Sequence, residues 1–468
     1  MKSIAIVGGG AAGLAAAIEA GERLRSEGCP YEITVYERDD RVGRSILATG
    51  NGRCNFSNTH LTAWEYRNFK FVVDALCALA GKPIRYRSGA AGSDAELDPN
   101  YPDRIPKQDV LGDCVHDFFE RHGLVWREEA DGRMFPLANK ASVVLDVLRA
   151  AAANVGVVEA CDCEVVAIEP PRAPGKPYTL RFSDGRFERA DAVIVACGGR
   201  GLASLDACGI VTSEMQPVLG PLRVTDKDLP FVRELDNIRV RCSVTVARKD
   251  EDGDYAVLSG EEGELMFRKY GVSGICVFNL SRYAQPGDVV FIDFLQARTY
   301  DDAIEFLEKR RHGLNDCFKR DVTNADMVRG IVLPRVSEAI FKRAGIDPNA
   351  VCDAKDVERL ASELMVLGLE IEGIADVSLC QVRRGGIDIS QVNPTTMEVS
   401  GKPGLYCAGE ALDVDGPCGG YNLHWAWASG LLAGRSAAQR LAGGLDVPAS
   451  SSDGNQRIAE EPNDGLDE

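Results

Sequence analysis

Near the start of the chain the apolar residues change period twice. Ile4-Ala5-Ile6-Val7 is a continuous apolar run, the pattern of a strand covered on both faces. Leu14-Ala15-Ala16-Ala17-Ile18-Glu19-Ala20 then follows an amphipathic helical period, and Glu32-Ile33-Thr34-Val35-Tyr36 reads as a second strand. Between the first strand and the helix stands Gly8-x-Gly10-x-x-Gly13, and the second strand ends in Glu37. Strand, glycine turn, helix, strand and acid in this order make up a dinucleotide-binding unit. Gly8 permits the tight turn, Gly10 lets a pyrophosphate approach the backbone, and Gly13 lets the helix pack on the strand. The unpaired N–H groups and positive dipole end of the helix face the phosphates, while Glu37 accepts hydrogen bonds from ribose hydroxyls.

The same logic returns twice. Ala190-Asp191-Ala192-Val193-Ile194-Val195-Ala196-Cys197 is an apolar strand ending in Gly198-Gly199, and Gly404-Leu405-Tyr406-Cys407-Ala408 ends in Gly409-Glu410. This pattern is similar to that of flavoproteins with two dinucleotide folds, in which the late carboxylate holds a ribityl hydroxyl. FAD is therefore the expected resident cofactor, bound non-covalently, with NAD(P)H as the electron donor.

Between these segments the periodicity predicts helices at 64–80, 111–122 and 141–153, a hairpin or loop at 128–136, and strands at 164–168, 178–182 and 192–195 that complete the first half of the nucleotide fold. Alternation at 243–247, 264–267 and 288–293 predicts a β-rich insertion, and helical spacing follows at 301–320, 324–332, 336–343 and 356–367. The expected fold is α/β: a discontinuous Rossmann-type FAD-binding domain (1–215 and 376–442), an inserted barrel-like domain (216–299) and a helical subdomain (300–375). The Ser-, Gly- and acid-rich segment 443–468 has almost nothing to bury and is expected to be disordered.

Composition narrows the partners. The chain has 468 residues and a formal net charge of −18, which disfavours polyanions such as RNA. No run approaches the roughly 20 apolar residues of a membrane helix. The 15 cysteines lack CxxC or metal-like spacing, so no metal site is expected and the thiols read as reduced in a cytoplasmic protein.

Three further segments carry a family resemblance. They are Gly50-Asn51-Gly52-Arg53-Cys54-Asn55-Phe56-Ser57-Asn58; Gly263-Glu264-Leu265-Met266-Phe267 with Gly271-Val272-Ser273-Gly274; and Asn393-Pro394-Thr395-Thr396-Met397-Glu398 leading through Gly404–Glu410 to Leu412-Asp413-Val414-Asp415-Gly416-Pro417-Cys418-Gly419-Gly420-Tyr421-Asn422-Leu423-His424-Trp425-Ala426-Trp427. From residue 3 to about 441 the chain resembles the BaiN/YhiN-like NAD(P)/FAD-dependent oxidoreductases, also called the aminoacetone oxidase family. The cofactor-binding set expected from motif and resemblance is Gly8, Gly10, Ala12, Gly13, Glu37, Arg38, Arg44, Gly52, Arg53, Cys54, Asn55, Val165, Gly198, Gly409, Glu410, Gly420, Asn422 and Leu423. Within it Arg53 suits a pyrophosphate, Cys54 reads as a small buried residue or, alternatively, a flavin-facing proton donor, and a helix beginning near Asn422 stabilises charge on the reduced flavin. Trp425 and Trp427 read as core.

The chain departs from the family pattern at Arg268-Lys269, at the shortened Arg200-Gly201-Leu202-Ala203-Ser204, at Val382-Arg383-Arg384-Gly385-Gly386-Ile387, and at His424, where relatives carry Gln. Because cations now stand at family-typical positions, Lys269, Tyr270 and Arg384 are expected to meet over the isoalloxazine as catalytic candidates. The resemblance implies reduction of a C=C bond conjugated to a carbonyl in a small molecule. RNA dihydrouridine synthesis, amine or aminoketone oxidation, and a non-catalytic flavin-binding role are the alternatives.

Overall fold

The computed structural model describes residues 1–82, 113–296 and 299–443. The tail from 444 onward and the first residues of the helix expected at 111–122 lie outside the described residues.

A five-stranded parallel sheet is ordered Leu405–Cys407, Ala192–Val195, Lys2–Val7, Tyr31–Tyr36, Val158–Ala160. The central strand carries Ile4, Ala5, Ile6 and Val7, all buried, because helices cover both faces of such a sheet. The first helix, Ala11–Ser26, packs along the long helix Tyr421–Leu441. Gly430 and Gly434 make this approach possible: a Cβ on either would lie 2.3 Å from the carbonyl oxygen of Ala12 or Ala16. Trp425 and Trp427, expected in the core, are buried there, and their indole N–H groups donate to the carbonyls of Gly409 and Phe56.

Two strand expectations are corrected. Val165–Glu169 and Tyr178–Phe182 do not enter the parallel sheet; with Phe187–Ala190 they form a separate antiparallel one. Tyr178–Phe182 alternates buried with more exposed positions and Val165–Glu169 is buried only at Val165 and Ile168, which suits a sheet with one wet face, whereas Ala192–Val195 is buried throughout and belongs inside. The second correction lies at 367–374, placed in the helical subdomain by the sequence. Leu367, Leu369 and Ile371 are buried at period two, and strand Leu367–Ile374 closes a six-stranded barrel. Helices Tyr300–Phe318, Asn324–Val328, Pro334–Ala344 and Ala354–Met365 share the barrel's apolar core, which is distinct from that of the parallel sheet. No helix among the described residues is long and apolar enough to cross a membrane.

Candidate functional site

The parallel strands direct their carboxyl ends to one edge, where ligands of open α/β sheets bind. Gly13 stands where the first helix leaves that edge; a Cβ on it would fall 1.9 Å from the Gly8 carbonyl oxygen, so no side chain fits. Gly10 caps the helix without a side-chain bond and no acid stands in the first turn, leaving its N–H groups and dipole available to an anion. Ala12 is buried beneath this turn. Glu37 is held by two backbone N–H groups, Gly9 to Oε2 at 2.8 Å and Asp39 to Oε1 at 3.0 Å, with lone pairs left for hydroxyls. Arg38 is exposed, and Arg44 lies at the surface 3.9 Å from Asp39 and 3.7 Å from Asp40.

Gly198, Gly409 and Glu410 end the two strands on the other side. Glu410 Oε1 accepts from the Arg383 N–H at 2.6 Å, and a Cβ on Gly198 would lie 3.3 Å from Oε2. Burial raises the Glu410 pKa, opposed by the Arg383 N–H and the charges of Arg383 and Arg200. Val165 is buried in the neighbouring antiparallel sheet.

A second glycine turn precedes the long helix. Asn422 closes it: Oδ1 accepts from the Gly416 N–H at 2.8 Å, and Nδ2 donates to the carbonyls of Gly416 at 2.8 Å and Pro417 at 3.3 Å. Gly420 begins the helix at φ +103° without a side-chain cap, and its Cβ would lie 2.3 Å from the Ser57 carbonyl oxygen. Beside it Asn55 Oδ1 is buried with no hydrogen-bond partner. An orphaned acceptor costs about 1–3 kcal/mol, which an N–H or O–H of a bound group would recover. Leu423 packs against the core and Gly52 stands in the loop below. The donors and acceptors at these two turns fit FAD: a helix end for phosphates, carboxylates for hydroxyls, and a buried acceptor beside a turn that admits no side chain.

Two members of the expected set are engaged elsewhere. The Arg53 guanidinium donates to Asn139 and Glu129 and stacks on Phe135 at 3.9 Å, so its charge is already paired. The Cys54 thiol is buried and pushed up to about 12, which keeps it protonated at neutral pH.

The catalytic candidates occupy two different settings. Lys269 and Tyr270 line one pocket of about 310 Å³ with Asp236, Asn237 and Arg268, beside the 236–237 turn. Arg384 is instead tied to Asp415 through Nε at 2.9 Å and Nη2 at 3.1 Å, and its Nη1 donates to the Arg282 carbonyl. Arg282 Nε donates to the same carboxylate at 2.6 Å, and Asp415 is 1% exposed. Burial raises the Asp415 carboxyl, but Arg384 and Arg282 outweigh it and hold the group below the usual carboxylate range.

Sequence reasoning missed Arg282, which has no motif around it, and Asp415, which lay unremarked inside the quoted glycine segment. It also missed Asn279, whose Oδ1 accepts from the Cys418 N–H at 2.8 Å and joins the barrel to the glycine turn. Glu261 hydrogen-bonds Asn279 from the barrel wall, and burial raises its pKa despite that bond.

The HI0933-like protein Rossmann domain family matches residues 112–436, and a NAD(P)-binding Rossmann-like domain matches residues 6–76. The chain is 30% identical to the 3-dehydro-bile acid delta(4,6)-reductase of Clostridium scindens, over 94% of this chain and 100% of that protein. It is 26% identical to the ribosomal RNA dihydrouridine synthase of Escherichia coli, over 91% of this chain and 95% of that one. A 3-ketosteroid-delta4-(5alpha)-dehydrogenase structure from Rhodococcus jostii RHA1 aligns with a TM-score of 0.43 and 16% identity, covering 93% of this chain and 97% of that one.

Proposed function

This chain belongs to the HI0933-like Rossmann family, the FAD-binding family that its motifs resemble, and from that premise we propose that it is an NAD(P)H-driven reductase of an activated C=C bond in a small α,β-unsaturated carbonyl compound. Bound FAD would supply the hydride chemistry. The chain's residues would bind and orient. The first turn of helix Ala11–Ser26 takes the pyrophosphate, Glu37 the adenosine ribose, Glu410 a ribityl hydroxyl, and Asn55 with Gly420 the ring.

The observation that carries the reading is Arg384. Arg384 and Arg282 share the one buried carboxylate of Asp415 at the foot of the Gly416–Gly420 turn, so the cluster keeps a net positive charge beside the turn assigned to the ring. When hydride adds to an enone, negative charge develops on the carbonyl oxygen, and a preorganised cation stabilises it. Lys269 and Tyr270 are the second candidates, at their own pocket. Half-buried Cys418, pushed up to about 12 by desolvation with Glu261 adding to it, is a thiol rather than a thiolate nucleophile at neutral pH. All 15 cysteines are free, in keeping with a reduced, cytoplasmic setting.

The test is anaerobic. Protein loaded with FAD is reduced with NADH or NADPH, then exposed separately to a panel of enones, to a uridine-containing ribosomal RNA fragment, and to oxygen. Fast reoxidation by enones is the expected result. Reoxidation by the RNA alone would move the assignment to dihydrouridine synthesis, the activity of the Escherichia coli relative, against the chain's net charge of −18. Reoxidation by oxygen alone would move it to an oxidase.

A further inference from the structure

Along strand Tyr255–Arg268 successive side chains leave opposite faces. Leu265 and Phe267 are buried in the barrel core, and Glu261 stands at the same parity, on the inner face with them. The neighbouring strand agrees: opposite Leu265, Gly263 and Glu261 stand Val240, Cys242 and Val244, all buried. A carboxylate in such company is costly unless it has a partner. Glu261 is half-buried, so water still reaches it.

Its partner is Asn279, a buried residue of helix Ile275–Leu280. Asn279 Oδ1 accepts from the Cys418 N–H at 2.8 Å, and its amide N–H groups serve Glu261. One side chain thus ties an inward-facing acid of the barrel to the turn assigned to the flavin ring. The titratable groups around the carboxyl are Glu65 of the short turn Ala63–Glu65, Cys276 and Arg282 on and just after the Asn279 helix, Cys418 of the glycine turn and Tyr421 of the long helix. Desolvation raises the Glu261 pKa and Glu65 adds to it, opposed by the Asn279 bond and by Arg282, whose charge is already shared with Asp415.

Reducing a C=C bond conjugated to a carbonyl takes support at two different atoms. A cation stabilises charge on the oxygen, and an acid protonates the carbon beside the carbonyl. The Arg384–Asp415–Arg282 cluster stands at the foot of the Gly416–Gly420 turn, and Glu261 reaches the same turn at Cys418 through Asn279.

We propose that Glu261 is the general acid of the reduction. The inference rests on the reading of the site as a C=C reductase. Hydride derived from NAD(P)H adds to the alkene carbon far from the carbonyl, and the π pair moves onto the carbonyl oxygen as an enolate. The enolate carbon takes the Glu261 proton, the second C–H bond forms, and the carboxylate regains a proton from water. NAD(P)H is oxidised and the alkene reduced. The Gln in Glu261→Gln can still accept from Asn279 but has no acidic proton, so this variant separates proton delivery from support of the turn.

The experiment makes two measurements on the FAD-loaded full chain. An infrared pH titration without substrate should show a carboxylic C=O band that is missing from Glu261→Gln and persists above the ordinary Glu value of about 4.3. In anaerobic half-reactions Glu261→Gln should keep its visible flavin spectrum, while reoxidation by the preferred enone slows about 100-fold, the lower range for positioned proton transfer. Wild-type reoxidation should slow as pH rises through the value read from the infrared band, and the variant should lose that dependence. Absence of the band would overturn the proposal, as would wild-type reoxidation in Glu261→Gln, or a pH dependence that survives in Glu261→Gln and disappears in Cys418→Ala. Failure of the reductase reading looks different, because the reduced wild-type protein would then react with no enone. Reoxidation by oxygen alone would overturn both. Reoxidation by RNA alone would overturn the small-molecule reading, and Glu261 would stand as the acid only if Glu261→Gln slowed that reaction equally.

Discussion

The two glycine turns that open helices Ala11–Ser26 and Tyr421–Leu441 present the same device by different means. Both helices start at a glycine without a side-chain cap, so both offer bare N–H groups and a positive dipole end. The first turn is held by near neighbours: Gly13 packs on the Gly8 carbonyl, and Glu37 bonds the Gly9 N–H. The second is held from across the molecule, by Asn279 of the barrel domain, Ser57 and Asn58 of an early loop, and the Arg282–Asp415–Arg384 cluster. A turn held locally is written in a short motif. A turn held from a distance exists only once both apolar cores have formed and docked.

If that contrast is right, damage to the distant supports should disable the second turn and spare the first. Asp415→Ala should have the largest effect, because it leaves buried Arg282 without its counter-ion; losing one partner of a buried pair costs about 3–5 kcal/mol. Urea unfolding followed by tryptophan fluorescence measures it, and a loss under about 1 kcal/mol would sink the idea that this cluster fastens the turn. The same carboxylate sets an acid limit. Its folded pKa is depressed, so its stabilisation is complete above the unfolded value of about 3.9 and disappears as pH falls through the lower folded value. Urea midpoints between pH 5 and pH 3 should therefore fall more steeply for the wild type than for Asp415→Asn.

Arg384→Met comes next. If Arg384 stabilises enolate charge, kcat/KM for enones should drop by about 3–4 kcal/mol in barrier while FAD remains bound. An unchanged kcat/KM would return Arg384 to a purely structural role.

Cofactor affinity compares the two ends directly. Glu37→Ala should weaken FAD by about 1.5–3 kcal/mol, the worth of hydrogen bonds to a charged acceptor, as read by fluorescence titration of the apoprotein. Glu410→Gln should also weaken FAD, yet stabilise the apoprotein. Its folded pKa is raised, so the apoprotein loses stability as pH rises above the unfolded value of about 4.3, and a neutral amide escapes that loss. A Glu410→Gln apoprotein melting at or below the wild-type temperature at pH 7 would contradict this account. Free flavin in the supernatant after acid precipitation is expected in every case; flavin that stays with the pellet would mean a covalent link.

The smallest effect is expected at Lys269→Met. Lys269 is exposed at a pocket separate from the Asp415 cluster, and exposed charges contribute about 1 kcal/mol or less. A large loss of enone reduction in this variant would bring that pocket into the active site and revive the expected meeting of Lys269 and Tyr270 with Arg384.

By itself the chain determined what depends on neighbours in sequence. The apolar run at Ile4–Val7, the helical period after Gly13 and the acid at Glu37 announced the first turn, and period-two alternation announced the barrel strands near 243–247 and 288–293. Only the tertiary structure decided which sheet each strand joined. Val165–Glu169 and Leu367–Ile374 carry no mark of their partners in sequence, and it is pairing with Tyr178–Phe182 that puts one in a separate sheet and pairing with Val289–Asp293 that puts the other in the barrel. It likewise decided the partners of buried polar groups. Asp415 with Arg282, Ser57 with His424 and Asn279 with Cys418 are paired across 133, 367 and 139 residues. Periodicity reports which way a side chain faces. A buried charge or hydroxyl must also find its complement, and that complement comes from whatever the packed cores bring alongside it.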